Sequence, residues 1–214
     1  MRKMISNKSY ASIVSHYEDR LDKYGDSHLG VDWPNQADAL TRYQVMLDVI
    51  RETNSSKITL LDFGCGASHL YDYILANKIS HIDYAGLDIS EKFIQLSKKK
   101  HPQISYYCLD ILQPNIELPK FDYVVLNGVF TEKRELSHGE MWEYVKQMIL
   151  RVFQVAQKGI AFNVMSSYVD WERDDLFHLS IDKLADFLVK EVSRDFIIRN
   201  DYRLYEYTTY VYRR

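Results

Sequence analysis

Cysteine is nearly absent from this 214-residue chain. Two residues, Cys65 and Cys108, are too few for a disulfide framework or a cysteine-built zinc site. Long apolar runs are missing as well. None approaches the roughly 20 residues that span a bilayer, so no membrane partner is expected. The opening MRKMISNKSYASIVSHYEDR has basic residues but no apolar core of a secretory signal, and the expected location is the cytoplasm. Neither sign of charge dominates: 27 Lys and Arg against 30 Asp and Glu leave a net charge of −3. That offers no global attraction to nucleic acid or to an anionic surface. The 4 prolines and 8 glycines form no linker tract, and no repeat interrupts the chain. Tyrosine is abundant, with 17 residues, a composition that suits strands. With 46% hydrophobic and 27% charged residues, the chain has the make-up of an ordinary globular protein of one sizeable domain.

The spacing of apolar residues divides the chain. A short helix is expected over about 10–24, ending near Gly25, before a loop that carries His28 to Pro34. Over 38–51, Leu40, Tyr43, Leu47 and Ile50 recur at steps of three and four, one face of an amphipathic helix. Strands are then expected over 58–63, 82–87, 104–109, 121–126 and 159–164. Helices are expected between them over 68–77, 90–100 and 138–157. Ser90 is placed to cap the second of these, Pro102 to end it, and Gly159 to stop the third. A loop over 165–179 and a helix from Ser180 lead to strands over 196–199 and 204–212, which read as a hairpin. Regular alternation of strand and helix implies right-handed crossovers and helices on both faces of a sheet. The expected fold is α/β, a three-layer sheet of seven strands, mostly parallel with an antiparallel C-terminal hairpin. The expected division is a helical extension or lid over 1–57 and a main domain over 58–214.

Ligands of such sheets bind beyond the carboxyl ends of the strands, and four successive strand ends here carry a joint pattern. The first runs Asp62-Phe63-Gly64-Cys65-Gly66-Ala67-Ser68. Its glycines permit a tight turn and close approach of a ligand to the main chain, and the following helix offers free N–H groups. The second ends in Asp88-Ile89-Ser90. Asp88 lies 26 residues beyond Asp62, where an acid accepts ribose hydroxyls. The third ends in Asp110-Ile111, a carboxylate for an exocyclic amine beside an apolar side chain for a purine ring. The fourth ends in Asn127-Gly128-Val129-Phe130, a further close-approach glycine. Together these ends read as a nucleoside-binding site.

This order of motifs resembles the class I S-adenosylmethionine (SAM)-dependent methyltransferases over about 58–212. The resemblance implies a Rossmann-like fold, SAM as cofactor, S-adenosylhomocysteine (SAH) as product, and no metal. It assigns Asp62, Gly64, Cys65 and Gly66 to the first motif, Asp88 and Ile89 to the ribose, and Asp110 and Ile111 to the adenine. Asn127 and Gly128 complete the cofactor site. One departure is Ser68, where the family often has a third glycine; serine is small and able to cap the helix. Two other readings stand beside this one. A nicotinamide-dependent oxidoreductase needs a small residue where His69 stands. A SAM-binding protein without catalysis is compatible with the motifs, because the family has no invariant catalytic residue.

Methyl transfer from a sulfonium is an in-line displacement on an activated carbon. Alignment and exclusion of water therefore do much of the work, and a base is needed only where the acceptor must lose a proton early. Acceptor-contacting residues are expected on three covering segments. The N-terminal extension offers Tyr10, Tyr17, Tyr24, His28, Asp32 and Trp33, with Trp33 at the cofactor. Arg42 is expected to pair with the SAM carboxylate. The segment 131–139 carries His138. The segment 165–178 is long, charged and aromatic, as lids often are, and brings Tyr168 and His178 as the best polar candidates. Neither cysteine is placed as a nucleophile, and Asp110 with Asn127 makes no magnesium site without a third ligand. The charge balance favours a small-molecule acceptor over nucleic acid. The acceptor's identity and the oligomeric state have no signature in the sequence.

Overall fold

The computed structural model describes residues 10–51 and 57–214; the parts of the expected extension at 1–9 and 52–56 lie outside the described residues. Two helices come first, α1 (Ala11–Tyr24) and α2 (Gln36–Leu47). The sheet region follows as β1 (Ile58–Phe63), α3 (His69–Ala76), β2 (Ile82–Asp88), α4 (Glu91–Lys100), β3 (Ser105–Cys108) and β4 (Phe121–Leu126). It continues with α5 (His138–Val155), β5 (Ala156–Ser166), β6 (His178–Leu179), α6 (Ile181–Phe187) and a single π-helical turn over Leu188–Val192. The chain closes with β7 (Phe196–Arg199) and β8 (Glu206–Tyr212).

The sheet runs β3-β2-β1-β4-β5-β8-β7, with β6 beside β5. The pairs from β3 to β5 are parallel, and β8 is antiparallel to both β5 and β7. The expected seven strands and terminal hairpin are present. An eighth strand, the two-residue β6, pairs with Met165 and Ser166 of β5. β1 and β4 are buried along nearly their whole length, which is why they read as unbroken apolar runs. The sequential order of strands reverses between β1 and β4, so the crevice of the fold opens at their carboxyl ends.

Two apolar clusters cover the two faces. One contains Tyr10 and Ile13 together with Leu61, Leu87, Val145 and Ile149, which places α1 on the α5 side. The other contains Ala39, Tyr43 and Met46 together with Leu60, Leu70 and Ile74, which places α2 beside α3. The segment 25–35 therefore crosses from one face to the other over the strand ends. Two details differ from the sequence-based expectation. Leu40 is 46% exposed, and Ala39 with Met46 takes the inward positions on α2. Gly159 stops no helix: α5 passes straight into β5 at Ala156. Gly159 lies within β5, where a Cβ would meet the Tyr212 ring and the Val211 carbonyl at 3.0 Å. No helix among the described residues is long and apolar enough to cross a membrane.

Candidate functional site

A cavity lies at the carboxyl ends of β1 to β4, roofed by α1 and the crossing segment. Its floor begins at the turn after β1. Gly64 and Gly66 have φ of 74° and 50°, the left-handed region where glycine is cheap and other residues are strained. The Gly64 and Cys65 amides donate to the Leu87 carbonyl at 2.7 and 2.9 Å, locking this turn to β2. A Cβ on Gly64 would stand 2.7 Å from Val129. Ser68 is also left-handed, with φ 59°, so the position has the backbone demand of a glycine. Its expected capping role is absent, because its hydroxyl pairs with the Tyr106 hydroxyl at 2.9 Å.

Three carboxylates line the cavity. Asp88 accepts the Gly66 amide through Oδ2 and the Ser90 amide through Oδ1, both at 2.9 Å. It thus ties the β1 turn to the start of α4, where Ser90 caps the helix as expected. Burial pushes the Asp88 carboxyl up, and these backbone donors oppose the shift. Asp62 is 3% exposed and accepts the Tyr84 hydroxyl at 2.8 Å. Burial raises it to about 7; the Tyr84 hydrogen bond opposes the rise and repulsion from Asp88 adds to it. Asp110 accepts the Leu112 amide at 2.9 Å, Gln113 Nε2 at 3.0 Å and the Tyr10 hydroxyl. Burial and that carboxylate keep Tyr10 protonated, and its ring lies 5.2 Å from that of Tyr144.

The end of β4 supplies Asn127 and Gly128. Asn127 Oδ1 is buried without a hydrogen-bond partner among the described residues. Gly128 has φ 80°, and a Cβ there would stand 2.7 Å from the Trp33 ring. Its amide donates to Asn163 Oδ1 at 2.7 Å, and Asn163 Nδ2 donates to Glu206 at 2.9 Å. Arg42 grips that carboxylate at 2.8–3.0 Å and stacks 4.2 Å from the Trp33 ring centroid. A line of contacts thus runs from β8 through β5 to the roof. Arg42 does not line the cavity. Where a ligand carboxylate was expected as its partner, Arg42 pairs with Glu206 and stacks on Trp33.

Cys65, Ile89 and Ile111 also line the cavity, as do Tyr17 and Val31 from the roof. Burial pushes the Cys65 thiol well up, which leaves it protonated and poorly nucleophilic. Tyr17 donates to the Gly128 carbonyl at 3.3 Å. Beside it His16 and Arg20, one helical turn apart, both meet Asp32, at 2.7 and 2.8 Å. Glu132 joins this group and pairs with Arg134 at 3.3 Å. The two arginines supply the positive charge that a metal ion would, so the group works as a clasp between lid and core. His28 is bound to the Trp33 carbonyl at 2.6 Å, and Tyr24 stacks against Arg20 outside the cavity. His16 and Glu132 were not singled out by sequence; the only local sign was the one-turn spacing of His16 and Arg20.

The three candidates for acceptor chemistry do not line the cavity. Tyr168 is 76% exposed. His178 is buried with both ring nitrogens engaged, by the Ser166 carbonyl at 2.7 Å and the Arg173 amide at 3.2 Å. His138 is held by the His178 carbonyl at 2.9 Å and packs on Phe177. The physical reason is β6. Its pairing with β5 ties the segment back on itself, and Phe177 and Asp175 bond to Thr131 and Lys133 at 2.8 and 2.9 Å. The segment braces the loop after β4, next to the lid clasp.

Comparison with known proteins adds the following. Residues 61–154 match the family model described as a methyltransferase domain. A Mycobacterium tuberculosis protein, Rv1506c, whose name assigns it provisionally to the methyltransferases, is 26% identical over 155 residues. The match covers 70% of this chain and 90% of that protein. The Synechocystis PCC 6803 magnesium protoporphyrin IX methyltransferase with bound SAH superposes at a TM-score of 0.64 with 17% identity, over 95% of this chain and 99% of that one. The plantazolicin methyltransferase BpumL, also with SAH, gives 0.58 and 14%, over 98% and 92%. At these identities the structural likenesses establish the fold.

Proposed function

We propose that the chain is a SAM-dependent methyltransferase whose cavity binds SAM for methyl transfer to a small-molecule acceptor, a reading supported by the match of residues 61–154 to a methyltransferase-domain model and by the Rossmann-like fold. When bound, SAM supplies a methyl group already activated on a sulfonium. The observation that carries this reading is a pair of unfilled acceptors. Among the described residues Asn127 Oδ1 is buried and unpartnered, and Asp62, at the end of the neighbouring strand, has no cationic partner. Buried polar groups of this kind are costly unless a ligand completes them, and the SAM ammonium suits both. Asp88 and Ile89 would hold the ribose, and Asp110 and Ile111 the adenine, with Tyr10 sharing the Asp110 carboxylate. The glycines of the β1 turn admit the methionine portion close to the main chain. The extension over 1–57 serves as the lid and 58–214 as the domain that performs the transfer. Tyr17 and Trp33 close the roof against water.

A dinucleotide fits this cavity poorly. Its two phosphate charges would meet Asp62, Asp88 and Asp110, and none of the lining residues is Lys or Arg. His69 lines the cavity at the position that a dinucleotide turn keeps small and is held there by Asp26 at 2.7 Å.

The test is the pH dependence of SAH binding, since SAH keeps the ammonium. Free Asp62 titrates at about 7 and must lose its proton to face a cation. Affinity is therefore lowest at acid pH and rises with pH, with Kd falling by up to about tenfold per pH unit below 7 and levelling above it. Calorimetric titrations at pH 6, 7 and 8 should follow that curve, and Asp62→Asn should flatten it. A flat curve for the unaltered protein would remove the ammonium from Asp62.

A further inference from the structure

We propose that the acceptor is an uncharged molecule with an apolar or aromatic face, and that the site rejects phosphate- and carboxylate-bearing acceptors. This rests on the cofactor reading above. The other walls come from the lid and from α5 and include Ile13, Val14, Tyr17, Val31, Trp33 and Tyr144, none with a formal charge. Burial raises both Tyr17 and Tyr144, so their hydroxyls stay protonated and neutral. The charge in the cavity comes from Asp62, Asp88 and Asp110, and among the described residues no Lys or Arg lines it.

Four arginines of the lid and the segments beside it are engaged in ion pairs. Arg20 is paired with Asp32 at 2.8 Å and Arg42 with Glu206 at 2.8 Å. Arg134 lies between Glu132 and Asp175, at 3.3 and 3.6 Å. Arg173 is paired with Asp175 at 2.6 Å. An anionic acceptor would be desolvated against aromatic walls with no free cation among the described residues to receive it, beside carboxylates that repel it. A nucleic acid would need a basic track for its backbone. An uncharged ring loses little hydration on entry and gains the apolar contacts of Trp33, Tyr17 and Tyr144.

The full chain saturated with SAH provides the test. Three probes with one ring system, 2-naphthol, 2-naphthoate and 2-naphthyl phosphate, are titrated by calorimetry at pH 7.5. The expected result is 2-naphthol binding at least tenfold tighter than either anion. Equal or tighter binding of an anion to the unaltered protein would overturn the proposal. So would binding of none of the probes. Failure to load SAH at all would instead reject the cofactor reading and is seen before any probe is added.

Discussion

Asp88→Asn is expected to weaken SAH binding by at least tenfold and up to about a hundredfold. The carboxylate has two tasks. It accepts the Gly66 and Ser90 amides, and its remaining lone pairs face the cavity, where ribose hydroxyls would donate. Hydrogen bonds to a charged group contribute about 1.5–3 kcal/mol each, and a factor of ten in affinity is about 1.4 kcal/mol. Asparagine keeps the volume but turns one oxygen into an NH2 group. That group then opposes one of the two backbone donors, so the turn loosens as the ribose contact is lost. Calorimetric titration of the variant measures the change. Affinity equal to that of the unaltered protein would place the ribose elsewhere.

The second large effect is on stability. Glu206 is 1% exposed, and its ion-pair partner is Arg42. Arg42→Met leaves this carboxylate buried with only Asn163 Nδ2 to satisfy it. Removing one partner of a buried pair costs about 3–5 kcal/mol. Because Arg42 keeps 12% of its side chain in solvent, the lower figure of about 3 kcal/mol is expected. For a chain of this length that corresponds to a Tm lower by about 6–12 °C. Adding Glu206→Gln should recover most of the loss, since a neutral amide can still accept from Asn163. Thermal unfolding of the single and double variants checks this. Equal Tm for the two would mean that the charge of Glu206 is not what Arg42 satisfies.

Much of the frame was legible in the chain itself. β1 and β4 read correctly because strands buried on both faces are short unbroken apolar runs, and α4 because Ser90 and Pro102 mark its ends. The cavity floor was legible for a topological reason. Asp62, Asp88, Asp110 and Asn127 are far apart in sequence, but each follows its own strand, and parallel order brings all four strand ends to one edge. What escaped was long-range pairing. Nothing near Arg42 indicates Glu206, 164 residues away, and nothing near His16 indicates Asp32 or Glu132. His178 looked available because its segment resembled a loop. Two residues of strand were enough to bury the ring and use both nitrogens. In α2 the spacing allowed either Leu40 or Ala39 to face inward, and Ala39 is the buried one.

Calorimetric titration of the full chain with SAH and, separately, with NAD asks directly whether the acid-lined cavity takes an ammonium-bearing adenosyl ligand and not a dinucleotide. Saturable 1:1 binding of SAH and no heat of binding from NAD are expected. Binding of NAD, or no binding of SAH, would contradict this reading.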